Sequence, residues 1–229
     1  MTKILHISDL QCGKPYVPRA GEALVRFAHA ARPDVVVVAG DLTQRAKARE
    51  FRAAAELLGR LPDVPTVITL GNHDVPLYRV WERVLTPYRN WHALALAPLD
   101  ATTAVPGATF VVLSSSAPRS AIVGGRLLRR QVEFARTAFA SAPPSDARVL
   151  VVHHHFVHTR DRSAGRTLPG ARKLLARFEE MGVDLLLGGH VHQTHITTSR
   201  ALLPGEGPGI PLVACGTTTS RRGRGPEAG

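Results

Sequence analysis

The sequence predicts an α/β fold built on a largely parallel sheet, and three observations carry that reading. Short apolar, β-branched runs recur along the chain, they are continuously apolar rather than alternating, and helical stripes separate the early ones. Continuous apolarity marks strands covered on both faces, and strand–helix alternation marks parallel crossover units.

Residues 3–8 open the sheet, and residues 20–31 follow as a helix with Leu24, Phe27, Ala28 and Ala31 on one stripe. The second strand is 34–39, followed by a helix over 46–61 with Phe51, Ala54, Leu58 and Leu61 inward. Strands at 66–70 and 109–114 lead to a helix at 126–140 and a strand at 148–152. A helix at 170–181, with Leu174, Leu175 and Phe178 inward, precedes strands at 183–187, 194–199 and 210–214. No fixed-period repeat is visible. The Pro- and Gly-rich stretches 142–145 and 204–211 read as loops within one domain, residues 1–219, and the basic stretch SRRGRGPEAG, 220–229, reads as a flexible tail.

A chain of 229 residues, 44% hydrophobic, is long enough to bury one large core. It has no run of eighteen apolar residues, so no membrane span is expected. The strand pattern begins at once, leaving no room for a signal core, and a cytoplasmic protein is expected. Cys12 and Cys215 form no CxxC pair, which argues against a disulfide framework or thiolate zinc site and fits a reducing compartment. Cys12 reads as a small packed thiol.

The net charge of +11 points to an anionic partner: a phosphate ester, a nucleotide or a nucleic acid. The basic residues are spread along the chain and aromatics are only 5%, so a stacking platform for nucleic acid is not favoured over a small phosphorylated substrate.

The chemistry gathers where the strands stop. The first runs into Ser8-Asp9-Leu10-Gln11, the second into Gly40-Asp41, the third into Gly71-Asn72-His73-Asp74. Later ones run into His153-His154-His155 and Gly188-Gly189-His190-Val191-His192. Ligands of open α/β sheets bind at carboxyl ends of strands. Carboxylate, amide and imidazole without thiolate suit borderline divalent ions such as Mn, Fe, Zn or Co. The donors suffice for two ions, and a carboxylate such as Asp41 can bridge a pair about 3.5–4 Å apart. His6, His29, His92 and His195 read as ordinary hydrogen-bonded residues.

These blocks, Asp9-Leu10-Gln11, Gly40-Asp41-Leu42-Thr43-Gln44-Arg45, Gly71-Asn72-His73-Asp74, His153 and Gly189-His190-Val191-His192, resemble the calcineurin-like metallophosphoesterase superfamily, above all its bacterial cyclic-nucleotide phosphodiesterase branch. The resemblance implies a four-layer α/β/β/α sandwich with a dimetal centre at the C-terminal ends of the strands. It assigns Asp9, Gln11, Asp41 and His192 to one divalent ion, and Asp41, Asn72, His153 and His190 to the other. It makes His73 the catalytic histidine, Asp74 the group that orients it, and Arg45 a structural residue. It implies a phosphohydrolase in which a hydroxide held between the ions attacks a phosphodiester (a cyclic nucleotide among them) or a phosphomonoester in line. A nuclease with the same centre, or a non-catalytic scaffold on the fold, are the alternatives.

The chain departs from the family pattern in three places. Gln11 stands where a histidine is usual, so it ligates through oxygen, acts through a water, or leaves the first site weak. Phe156 and Val157 replace the prolines that usually follow the ligand histidine, which keeps His154 and His155 open as alternatives to His153. Relatives continue beyond a segment like 216–225 into further strands; here the sheet is smaller, or a homodimer covers its edge.

Overall fold

Four consecutive valines, Val35 to Val38, form a strand whose side chains are all buried. Side chains of a strand alternate between faces, so this run demands an apolar layer on each side, and the fold supplies both. The computed structural model describes residues 2–93, 98–159 and 165–223. Strands β1 (Ile4–Ile7), β2 (Val35–Val38) and β3 (Thr66–Ile68) form a parallel sheet in that order. A second sheet has the order β4-β5-β6-β7-β9-β8. It comprises β4 (Ala101–Val105), β5 (Ala108–Val112), β6 (Ala147–Val151), β7 (Leu185–Gly188), β8 (His195–Thr198) and β9 (Pro211–Ala214). Its centre, β5-β6-β7-β9, is parallel, and its edge strands β4 and β8 are antiparallel to their neighbours.

Alternate side chains sort into three cores. Val35, Val37 and Val67 meet Phe110, Val112, Val149 and Val151 between the sheets. On the outer face of the first sheet, Val36, Val38 and Ile68 pack on α1 (Pro18–Ala31) and α2 (Ala48–Leu58) through Leu24, Ala28, Phe51 and Ala54. On the outer face of the second, Val111, Leu150 and Leu186 pack on α5 (Arg129–Ala140) and α6 (Ala171–Glu180) through Val132, Phe139, Leu175 and Phe178. The result is the α/β/β/α sandwich. Two short helices, α3 (Val80–Leu85) and α4 (Arg89–Ala93), sit between β3 and β4, and α4 delivers the buried Trp91 against Phe51.

Three details differ from the sequence reading. Phe27 is 60% exposed, because α1 turns Gly21, Leu24 and Ala28 to the sheet. Strand β4, whose Ala101-Thr-Thr-Ala-Val105 is too weakly apolar to predict, forms by hairpin pairing with β5 around Pro106 and Gly107. The segment given to a tail does not all leave the domain: Ser220 pairs with Tyr16 and Arg221 N–H donates to Pro15. The remainder of that segment, residues 224–229, lies outside the described residues. No helix among the described residues is long and apolar enough to cross a membrane.

Candidate metal centre

The centre forms where both sheets end on one side. Asp9 N–H donates to Gly40 C=O and Gln11 N–H to Asp41 C=O, extending the β1–β2 pairing past the strands. Asp9, Gln11, Asp41, His190 and His192 all have positive φ, between 48° and 72°. Left-handed backbone is uncommon outside glycine and clusters at functional sites. Here it is held from below: Leu10 and Val191, the middle residues of the Asp9–Gln11 and His190–His192 triplets, are fully buried and fix each turn in the core. Each triplet thereby presents two polar side chains above one apolar anchor. Two glycines admit the close approach: a Cβ at Gly71 would overlap the Asp41 carboxylate, and one at Gly189 would overlap Ser8 and Asp9.

Asp9, Asp41 and His153 converge, with potential ligand atoms all within 4.8 Å of one another and all three residues buried. His153 Nδ1–H donates to Ala39 C=O at 2.6 Å, which turns Nε2 into the centre, 3.5 Å from Asp41 Oδ1. Among the described residues no hydrogen-bond donor reaches His153 Nε2, Asp9 Oδ1 or Asp41 Oδ2. Three buried acceptors facing one another without a donor are costly. A cation satisfies all of them at once, so the residues fit a metal. The electrostatics agree. Burial, and then the Asp41 charge, push Asp9 up to about 7. Burial opposes the charge on His153 too, but the Asp41 and Asp9 carboxylates prevail and lift it to about 9. Two buried carboxylates this close favour positive charge beside them, which a proton on His153 Nε2 or a metal ion in its place can supply.

The flanking residues extend the centre on both sides. Asn72 Oδ1 lies 2.9 Å from His190 Nδ1, and His190 N–H donates to Asp9 Oδ2. Burial, and then the His154 and His153 rings, hold His190 well below the usual imidazole range and keep it neutral. His192 Nε2 lies 3.3 Å from Asp9 Oδ1, and its Nδ1–H donates to Arg222 C=O. Gln11 presents its NH2 to His192 Nε2 at 3.3 Å, while its Oε1 accepts from Ser220 Oγ. For Gln11 to offer oxygen to the centre, the amide would have to turn over.

His73 stands at the rim, half-buried, its backbone N–H donating to Asp41 Oδ1. The expectation that Asp74 orients the ring is not what the geometry gives. Asp74 accepts from the N–H groups of Gly71, Leu42 and Thr43 and from the Thr43 hydroxyl, so it ties the third strand end to the second. The His73 ring is held by the backbone: Nδ1–H donates to Gln44 C=O at 3.0 Å. Arg45 stacks its guanidinium over Tyr78, 4.6 Å from the ring centre.

His154, an alternative to His153, has both ring nitrogens engaged, by Ser115 Oγ and Val123 C=O. His155 stacks on His190 with ring centres 5.4 Å apart. Of the three, it is His153 that joins Asp9 and Asp41. Sequence reasoning missed Arg222 altogether: its Nη1 donates to His73 Nε2 at 2.9 Å. The signal was available, since strand β9 also empties into a polar run, Thr217-Thr218-Thr219-Ser220, as the other strand ends do.

A model of the calcineurin-like phosphoesterase family matches residues 2–194. The chain is 36% identical over 92 residues to the DNA double-strand break repair protein Mre11 of Aeropyrum pernix, a match covering 34% of this chain and 22% of that protein. It is 28% identical over 190 residues to a cAMP/cGMP dual specificity phosphodiesterase of Mycobacterium tuberculosis, covering 76% of this chain and 54% of that one. The chain thus spans about half, or less, of the length of these curated relatives. In fold it is similar to a purple acid phosphatase from yellow lupin, with a TM-score of 0.71 at 14% identity, covering 96% of this chain and 44% of the other. With the family match running through every strand end from Asp9 to His192, this chain belongs to the calcineurin-like phosphoesterases.

Proposed function

We propose that the chain is a dinuclear metal-dependent phosphohydrolase that cleaves a phosphodiester, with cyclic nucleotides among its candidate substrates. The observation that carries this reading is the trio of buried acceptors without donors, Asp9 Oδ1, Asp41 Oδ2 and His153 Nε2. Asp9, Asp41 and His192, with Gln11 beside them, would hold one ion; Asp41, Asn72, His153 and His190 would hold the other. Bound divalent ions supply charge neutralisation for the phosphoryl oxygens and a water acidic enough to attack phosphorus near neutral pH.

The chain's own residues do the rest. His153 and His192 keep their Nε2 lone pairs inward because backbone carbonyls, of Ala39 and Arg222, take the Nδ1 protons. The Gln44 carbonyl fixes the His73 ring with Nε2 directed away from it, where a proton can pass to the departing alkoxide. Mn, Fe, Zn and Co all suit the donors. The diester preference is supported by the likeness to the cyclic-nucleotide phosphodiesterase and by the basic charge.

The test is hydrolysis of bis-p-nitrophenyl phosphate and of cyclic nucleotides by Mn-loaded protein, with Asp41→Asn as the control. Turnover is expected to vanish with chelator and to fall at least about 10²-fold in the variant. No turnover of any ester with any divalent metal overturns the reading. The match to Mre11 gives a nuclease reading its one support; degradation of linear DNA with no small-diester turnover would select it.

A further inference from the structure

Arg222 sits on a segment that the structure binds tightly to the centre. Thr218 N–H donates to Ser8 C=O, and Ser8 N–H returns a bond to Thr218 Oγ1. Thr219 Oγ1 donates to Leu10 C=O at 2.7 Å, Val17 N–H to Thr219 C=O at 2.7 Å, and Arg221 N–H to Pro15 C=O. The Arg222 backbone accepts from His192, while its side chain crosses the centre to His73 Nε2. A second, longer contact of 3.5 Å goes to Gln44 Oε1. The side-chain partners of Arg222 are thus an imidazole nitrogen and an amide oxygen, neither of them an acid. Among the described residues no carboxylate pairs with Arg222. A half-buried guanidinium with no acidic partner lacks its counter-charge.

We propose that this counter-charge is the substrate's phosphoryl group, and that Arg222 is a substrate-binding residue of the site. The inference rests on the phosphohydrolase reading and deepens it. A guanidinium matches two phosphoryl oxygens in a fork, which a lysine ammonium cannot do. Nη1 already stands one hydrogen bond from the His73 nitrogen that faces the departing oxygen, so a phosphoryl group at that nitrogen is within its reach. When Arg222 transfers its hydrogen bond to the phosphoryl group, His73 Nε2 is released to take up a proton from water, which it then passes to the departing oxygen. Arg222 therefore rests on the catalytic histidine and frees it when an anion takes over its hydrogen bond.

The probe is inorganic phosphate, titrated calorimetrically into Mn-loaded protein, alongside diester kinetics and metal content. Arg222→Met should weaken phosphate binding about 10- to 100-fold, the factor for one charge-assisted hydrogen bond. It should raise KM as well as lower kcat while leaving metal content unchanged, and Arg222→Lys should fall between. The same weakening should persist in a His73→Ala background, where an arginine that merely positions His73 would have no effect left to lose. Phosphate affinity equal in wild type and Arg222→Met, or no phosphate binding by the wild type, overturns the proposal. So does a loss confined to the His73 background. A wild type that binds phosphate through Arg222 yet turns over no ester sinks the hydrolase reading and leaves the anion site standing.

Discussion

At the scale of single residues, the site rests on tautomers fixed by backbone. His153 and His192 each direct Nδ1–H to a main-chain carbonyl, so each ring turns the same nitrogen, Nε2, into the centre. That order was only half legible in the sequence. The residue types and the HxH spacing named the ligand candidates, but which carbonyl would orient which ring depends on strands that meet only in the fold. Asp74 shows the limit: its neighbour His73 is next to it in sequence, yet its four donors come from three other residues. Gln11 is the residue that most distinguishes this centre from the family pattern. An imidazole there would be a better donor than an amide toward Zn or Fe. Gln11→His is expected to tighten the weaker metal-binding step by about tenfold or more, read by calorimetric titration of the metal-free protein. An unchanged isotherm would mean that the side chain never faces an ion.

At the scale of elements, the strands were legible because continuous valine and leucine runs have few other uses, and the helices because their stripes are regular. The misses have physical causes. Strand β4 is held by its hairpin partner rather than by its own propensity, and α3 and α4 are too short to show a period. The segment after β9 reads as polar tail in isolation; its strand-like hydrogen bonds go to Ser8, Leu10 and Pro15, about two hundred positions away in the chain. The loops between strand and site are the most demanding elements, since they must bring backbones together closely. Gly189 lies against Ser8 and Asp9 with no room for a side chain. Gly189→Ala is expected to displace the His190–His192 turn and lower metal stoichiometry, measured by elemental analysis, in protein whose circular dichroism stays native. Full metal content in that variant would show that the turn yields without strain.

At the scale of the whole molecule, imidazoles set the acid limit. His6 lies on β1 with its Nε2 buried, and burial lowers its pKa to about 4 even though a hydrogen bond with Gly188 favours the charged form. The unfolded chain therefore takes up this proton first, and stability falls as pH drops from about 6.5 toward 4. His154 and His155, lowered to about 3 and about 4 mainly by burial, act in the same direction. Urea denaturation at pH 7, 6 and 5 should show this decline, with a slope lower by up to about 1.4 kcal/mol per pH unit in His6→Leu. Parallel curves for the two proteins would remove His6 from the account.

The sandwich's two sheets contribute unlike groups to their common seam. Asp9, Asp41 and Asn72 extend from the first, while His153, His190 and His192 extend from the second. A cation bound there would act as a rivet, pinning the carboxylates and amide at the end of one sheet to the imidazoles at the end of the other. Occupancy and mechanical cohesion are thereby one property: a chelator would not only silence the centre but loosen the joint between the halves that build it.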